Sequence, residues 1–600
     1  MFGFGAVARK IETNTQPDAN PGRPYWFDQP ETTHSGYPIK EIPWSLPYET
    51  ESLCPECIQV IQARKFEEDG KVWMDKTCKD HGYFKELISP DVDIYMSMFT
   101  HRMADGQGVS NPIVADGKSC LTDCGLCNMH HSHTALANVD VTNRCDMTCP
   151  VCFANANAAG YVCEPELSEI RKMLQNLRDM KPVPAKVVQF SGGEPTIHPQ
   201  FHKICAMAKE MGFWHIQVAS NGKNLSNLSF AKKAQESGLN TIYLQFDGVS
   251  DDVAFKTRAE NVTEMKKKVV ENARKVGLKI VLVPTMVKGL NDHQVGDIIR
   301  FATRNSDVIV GIAFQPVCFT GRINESNRLA KRYTMTHLAM DAEKQTDGMI
   351  QANGGWLPLG CTSPFSKLSE VLSGEPAMTV TCHPDCGAGA YLFVNPENRE
   401  EAVSLDSFFN LRQALIDVQL LQREIREKNE KRGQALGIQL FSKAKALNIL
   451  HRHFNSKKAP KGLTFNRLLK VVDGYKDKEV SGNPEHQTKN AYPTLFIAGM
   501  HFQDPYNYDI ERVKRCVIHY SARDGKIYPF CTYNSGPEYR DRVEESISVS
   551  LDRYKGEYDL GKAPSMLSEG EAVALRRVSL PIAGETKAEA SGCGSGCGCG

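Results

Sequence analysis

The spacing of the cysteines constrains this chain more than any other feature. Twenty occur in 600 residues, and most fall in tight groups: Cys54, Cys57 and Cys78, then Cys120, Cys124 and Cys127, then Cys145, Cys149 and Cys152. Cys318, Cys361, Cys382, Cys386, Cys516 and Cys531 follow at wider intervals. Disulfide frameworks belong to small secreted chains that cannot build a sufficient core. This chain is long enough to bury one, and its first residues, MFGFGAVARKIETNTQ, lack the apolar run of a secretory signal. The expectation is a cytoplasmic protein with reduced thiols, and reduced thiols grouped in turns bind metal.

Cys54-Pro-Glu-Cys57, followed by Cys78-Lys-Asp-His81, has the form of a knuckle site: two tight turns each present ligands to one tetrahedral ion, Fe or Zn. Either His81 supplies the fourth ligand, or it merely sits in the turn and a later cysteine completes an all-thiolate site. The triplets Cys120/Cys124/Cys127 and Cys145/Cys149/Cys152 share one spacing, which suits three corners of a 4Fe–4S cube. Only the second follows an apolar alternating strand, Leu136 to Val141. The last three cysteines, Cys593, Cys597 and Cys599, lie in SGCGSGCGCG, a low-complexity tail expected to be disordered.

From residue 136 the chain alternates. Strand patterns at 136–141, 187–190, 216–219, 241–246, 280–283 and 308–314 are separated by helical ones, such as Glu166 to Met180 with Leu167, Ile170, Met173, Leu174 and Leu177 on one face. The fold class expected is α/β, a partial (β/α)6 parallel barrel flanked by cysteine-rich N- and C-terminal regions. Ligands of such folds gather at the carboxyl ends of the strands. There the sequence places Ser191-Gly192-Gly193-Glu194-Pro195, Ser220-Asn221-Gly222, Gln245-Phe246-Asp247-Gly248 and Pro284-Thr285. The paired glycines allow close backbone approach to a ligand, and Glu194 offers an acceptor to a ligand ammonium.

CxxxCxxC at Cys145, Cys149 and Cys152 followed by GGEP at 192–195 resembles the radical S-adenosylmethionine (SAM) superfamily over residues 135–330. The resemblance implies that the three cysteines hold a 4Fe–4S cluster whose open iron chelates the methionine end of SAM. Gly192, Gly193 and Glu194 would hold its amino group, with Ser220, Asn221, Gln245 and Asp247 as methionyl or ribose contacts. Cleavage of SAM would yield a 5′-deoxyadenosyl radical that abstracts hydrogen from an unactivated C–H bond. The longer order CPxC…CxxHG, CLTDCGLC, VTNRCxxxCPVCFA and GGEPT is most similar to the archaeal tetraether lipid synthases, near relatives of radical pterin methylases. That family implies a mononuclear site and two auxiliary 4Fe–4S clusters. Twelve cysteines remain once the tail, the radical triplet, Cys163 and Cys205 are set aside, enough for three four-thiolate sites. Cys163 and Cys205 are read as buried thiols on helical stretches. If His81 is a ligand, one cysteine is spare.

The domains expected are 1–134 (metal knuckle and first triplet), 135–330 (radical SAM barrel), 331–585 (auxiliary clusters and substrate) and 586–600 (tail). In the third, Leu405 to Ile425 reads as a helix opened by Phe408 and Phe409, with Leu411, Leu415, Val418, Leu421 and Ile425 on one face. It is either a core helix or one wall of an isoprenoid groove. His451, His453, Lys457, Lys458, Lys461 and Arg467 form a modest basic cluster, a solvated face or a headgroup site, and residues 473–490 read as a loop or lid. Lys+Arg and Asp+Glu number 71 each, which excludes a broadly basic nucleic-acid surface, and no run is long and apolar enough to span a bilayer. No side chain stands out as an acid or base; Tyr333 and Tyr520 are candidate radical relays.

The main functional expectation is C–C coupling of terminal methyl carbons on archaeal phytanyl chains. Its partners would be a glycerophospholipid, a low-potential donor such as ferredoxin, and a transiently contacted membrane surface. The alternative is radical methylation of a 7,8-dihydro-6-hydroxymethylpterin-type precursor. A third is an iron–sulfur assembly or electron-carrier protein.

Overall fold

The computed structural model describes residues 23–550, apart from 158, 322–327, 433–435 and 474–491. The cysteine tail and nearly all of the expected 473–490 lid lie outside the described residues. The chain opens with an antiparallel sheet, β1 (Tyr48–Leu53), β2 (Val60–Glu68), β3 (Lys71–Cys78) and β4 (Gly82–Ser89), paired in chain order. Asp69 and Gly70 join β2 to β3, both with positive φ (53° and 72°). That is the two-residue hairpin turn whose twist matches the strands. The turns β1–β2 and β3–β4 lie at the same end of this sheet, so Cys54, Cys57, Cys78 and His81 arrive together.

The expected six strands form, in the expected order: β5 (Leu136–Thr142), β6 (Val187–Gly192), β7 (His215–Ser220), β8 (Thr241–Gln245), β9 (Lys279–Val283) and β10 (Ile309–Pro316), all parallel. Alternation sets their outer face. Val139, Phe190, Val218, Leu244, Leu282 and Phe314 are fully buried there, in one core with the helices. The helix Leu167–Arg178 shows why. Ile170, Met173, Leu174 and Leu177 recur at helical spacing and are buried, and a Glu166/Glu169 capping box satisfies its first turn. Burial of each such side chain contributes about 1.5–3 kcal/mol before entropy is charged.

The sheet does not stop at residue 330. β11 (Gly387–Val394) runs antiparallel to β12 (Thr494–Met500), and β12 adds in parallel to β10. β13 (Ile518–Ser521) adds in parallel to β5 at the opposite edge, followed by the hairpin strand β14 (Ile527–Pro529). Eight parallel strands therefore stand side by side, the outer two supplied by the C-terminal region. The segment 501–517 straps one edge to the other. Within it Asp504 accepts from Arg332, Asp509 accepts from Thr50 and Lys65, and Arg515 donates to Asp105.

Two local readings are corrected. Cys163 follows a two-residue strand, Tyr161–Val162, and receives Arg523 Nη1 at 3.7 Å; Cys205 lies on a helix, Phe201–Glu210, as expected. The helix expected from 405 begins at Leu411. Leu405–Ser407 is a single 3-10 turn, and Phe408 and Phe409 turn into a separate aromatic core with Phe393 and Tyr492. Val418, Leu421 and Ile425 pack with Leu368 instead of walling a groove. Tyr333 is buried and donates to Asp341 Oδ2 (2.7 Å). Among the described residues no helix is long and apolar enough to cross a membrane.

Candidate cofactor site and metal centres

The Cys145–Cys152 loop leaves the end of β5 and is pinned from two sides. Gly193 N donates to Thr142 O (2.7 Å) and Glu194 N to Arg144 O (2.8 Å), so the end of β6 zips onto the start of the loop. A Cβ on Gly192 would lie 2.1 Å from Thr142 O, and one on Gly193 would lie 2.1 Å from Arg144 O. Backbone cannot yield there, so the glycines serve this close strand–loop approach. From the other side Asn157 accepts from Cys145 N (2.9 Å) and donates to Cys145 O (2.7 Å) and Met147 O (3.2 Å). The three thiols are half-buried at the strand ends. Burial pushes the Cys145 thiol well up, and Glu194, Cys149 and Cys152 add to the effect.

Glu194 ties the next strand end to the first. One oxygen accepts from Thr196 and from Ser220 Oγ (2.8 Å), the other from Asn221 N (2.7 Å). Burial raises its carboxyl, and these bonds oppose the rise. Asn221 also donates to Asp146 Oδ1 (2.6 Å) inside the cysteine loop. Gln245 bridges Asp247 and Lys266, while Asp247 binds Arg258 through two hydrogen bonds and accepts from Thr285 N. The candidates Gly192, Gly193, Glu194, Ser220, Asn221, Gln245 and Asp247 thus form one hydrogen-bonded belt around the loop. Sequence reasoning missed Arg258 and Lys266. Arg258 bonds the Cys149 thiol, and burial, with Arg258 adding to it, lowers Lys266 to about 7. Neither cation carries a sequence signal beyond lying in the helices after β8.

The N-terminal knuckle is compact. Sγ of Cys54, Cys57 and Cys78 and a ring nitrogen of His81 all lie within 4.8 Å of one another, with His81 Nδ1 3.6 Å from Cys54 and 3.5 Å from Cys78. His81 therefore joins the three thiols. His81→Ala is expected to lower the N-terminal metal toward zero, read as one metal atom fewer per chain by elemental analysis.

The remaining thiols divide in a way that sequence left open. Cys120, Cys124 and Cys127 influence one another; burial, with Cys127 adding to it, pushes Cys120 up to about 12. Cys516 and Cys531 fold back beside Cys382 and Cys386, and pack in one cluster with Cys124. Cys318 flanks this foursome beside Cys531, and Cys361 flanks it beside Cys382. With His81 at the knuckle, nine of the twelve thiols remain for the auxiliary sites, one more than two four-thiolate sets need. Among the described residues they lie as a triplet and as a set of four with two neighbours. Thr532, next to Cys531, bonds the Cys124 thiol, so the last two groups adjoin.

Residues 139–302 match the radical SAM superfamily, and residues 46–90 match the HMPTM N-terminal zinc ribbon domain. Over 514 residues the chain is 40% identical to the 7,8-dihydro-6-hydroxymethylpterin dimethyltransferase of Methanocaldococcus jannaschii, covering 85% of this chain and 98% of that one. The chain belongs to that family. It is also 24% identical over 250 residues to the GTP 3′,8-cyclase of Clostridium acetobutylicum, covering 40% of this chain and 77% of the cyclase. Among solved structures, methylornithine synthase covers 30% of this chain and 53% of its own, at 16% identity and a TM-score of 0.26.

As a radical SAM enzyme the protein uses a 4Fe–4S cluster and SAM. The residues fit that group: three half-buried thiols lie in one loop, and Arg258 from the surrounding belt bonds the Cys149 thiol. The relative that shares nearly the whole chain is named for a pterin, so the resemblance to tetraether lipid synthases narrows to the superfamily. The basic cluster stands elsewhere. His453, Lys457 and Lys458 line an open cavity of about 910 Å³ whose walls include His101, Asp406 and Arg412 and none of the cysteines.

Proposed function

We propose that the protein is a radical SAM methyltransferase acting on a pterin of the 7,8-dihydro-6-hydroxymethylpterin type. The observation that carries this is the near-full-length match to the pterin dimethyltransferase, ribbon included. Cys145, Cys149 and Cys152 would hold the cluster, which would supply the electron for reductive cleavage of SAM. The chain's own residues orient and shield. Glu194 and Asn221 hold two strand ends and the cysteine loop in register, Asp247 and Arg258 fix the ring of contacts, and Arg258 offsets the thiolate charge. A low-potential donor such as ferredoxin would reduce the cluster.

The test is anaerobic incubation of reconstituted, reduced protein with SAM, a one-carbon donor and 7,8-dihydro-6-hydroxymethylpterin, with an archaeal phospholipid in a parallel reaction. Mass spectrometry should find deoxyadenosine together with a methylated pterin. A coupled isoprenoid chain and an unchanged pterin would replace this reading with lipid C–C bond formation. An iron-replete sample that makes no deoxyadenosine would remove both.

A further inference from the structure

Lys+Arg and Asp+Glu balance over the whole chain, but not in every part of it. Along the stretch 399–461 several cations have carboxylate partners: Arg399 with Asp307 (2.7 Å), Lys445 with Glu424 (3.0 Å) and Lys461 with Glu397 (3.3 Å). Asp417 takes both Arg452 (2.6 Å) and His453 (2.7 Å). Arg412, Lys457 and Lys458 differ, for none of them makes an ion pair among the described residues. All three line the open cavity of about 910 Å³, together with Arg452. The one carboxylate in its wall, Asp406, already accepts from Ser404 Oγ. Cations gathered without partners repel one another, and an anion between them relieves that cost.

Backbone bonds fix the wall that carries them. Asn410 N donates to His453 O (3.1 Å) and Asn455 N to Phe408 O (2.7 Å). The turn before the helix Leu411–Arg432 is thereby laced to the segment that follows the helix Leu436–His453. Asn455 Oδ1 then accepts from Lys457 N (3.1 Å) and Lys458 N (3.3 Å), a local turn that brings both lysines to the cavity. Arg412, Lys457 and Lys458 are exposed, whereas Phe408 and Phe409 in the same wall are buried. Phe408 is held edge-on to Phe393 (5.2 Å, 86° between planes). His101 adds no charge: its Nδ1 donates to Ser97 O, and burial, with Arg412 adding to it, lowers the ring to about 4. The cavity therefore has a cationic rim over an aromatic floor, and its volume suits an organic molecule better than a bare ion.

We propose that this cavity is a binding site for a phosphate ester, with the phosphate at the rim between Arg412 and the two lysines and the carbon body over Phe408 and Phe409. The planar guanidinium matches two phosphate oxygens at once, and the lysines add charge from the facing segment. A nucleic-acid strand would need an extended basic track, whereas these cations converge on one concavity. The site goes beyond the methyltransferase reading and does not depend on it. No cysteine lines it, so it recognises the phosphorylated end of a ligand and performs no bond chemistry of its own. That end can belong to a soluble phosphorylated metabolite or to a phospholipid headgroup.

Anaerobic titration calorimetry on the full-length, cluster-loaded protein tests this with two probes, glycerol phosphate and a short-chain phosphatidylglycerol kept below its micelle concentration. The wild type is expected to bind at least one of them saturably, and less tightly as salt is raised. Arg412→Gln is expected to weaken binding roughly tenfold, and Lys457→Gln with Lys458→Gln by at least as much. Lys461→Gln removes a cation that Glu397 pairs outside the cavity, and should leave the affinity unchanged. These side chains are exposed, so the urea midpoints of all variants should match the wild type. Equal or tighter binding of glycerol phosphate would assign the site to soluble esters, and tighter binding of the phospholipid would assign it to a headgroup. The site is overturned if the wild type binds neither probe, if both cavity variants keep wild-type affinity, or if Lys461→Gln loses as much as they do.

Discussion

Cys149→Ser is expected to reduce 5′-deoxyadenosine formation to the level of a protein-free blank. The thiol it removes is one of three presented by a loop that Asn157 and the Gly193–Glu194 backbone hold rigid, and it bonds Arg258. A serine oxygen is a harder, far less acidic ligand than a thiolate and does not replace it on iron. Reconstituted iron should fall by about four atoms per chain. Cys205→Ser is the matched control. That thiol is fully buried on the helix Phe201–Glu210 and belongs to the hydrophobic core, so iron content should hold and SAM cleavage persist. Cleavage above blank in the Cys149 variant would remove the triplet from the chemistry.

The largest effect on stability should come from Arg332→Ala. Arg332 is completely buried, donates to Glu86 Oε1 (2.6 Å) and binds both Asp504 oxygens (2.6 and 3.1 Å). Glu86 lies on β4 of the N-terminal sheet and Asp504 on the strap between sheet edges, so one guanidinium joins three parts of the chain. Its presence holds the Asp504 carboxyl below the ordinary range against burial. Truncation would leave the buried Asp504 carboxylate without its guanidinium and Glu86 with only Arg328, at a cost of about 3–5 kcal/mol. A lower urea midpoint measures it, and neutralising both acids in the same background (Glu86→Gln with Asp504→Asn) should recover part of the loss. The exposed pair Lys461–Glu397 gives the contrast, worth less than about 1 kcal/mol. An Arg332→Ala protein that unfolds with the wild type would refute the linkage.

These two sites also show what a sequence can and cannot disclose. The six strands from Leu136 to Pro316 are legible because each is a short apolar run between turns, with helical periodicity following. The cysteine triplets are legible because their ligands lie within one loop. Thr494–Met500 and Ile518–Ser521 are not, since their partners Ile309–Pro316 and Leu136–Thr142 lie some hundreds of residues away and no local pattern encodes that pairing. The grouping of Cys516 and Cys531 with Cys382 and Cys386 depends on the same long-range closure. Glu194 was legible as a residue of consequence, but its bonds to Ser220 and Asn221 exist only once adjacent strand ends meet. His81 was ambiguous because its role depends on two hairpin turns lying at one end of a sheet.

The closing strands have a consequence for how the protein is made. Translation delivers the six central strands early, yet the neighbours of the first and last of them are encoded at residues 494–500 and 518–521. Until those residues emerge from the ribosome, both sheet edges carry unpaired backbone groups and the cysteine foursome lacks half its members. Such long-range pairing is slow and exposes the nascent chain to aggregation. Assembly of that grouping must therefore follow release of residues 516–531, and production in a heterologous host should be limited by chaperone capacity during that interval.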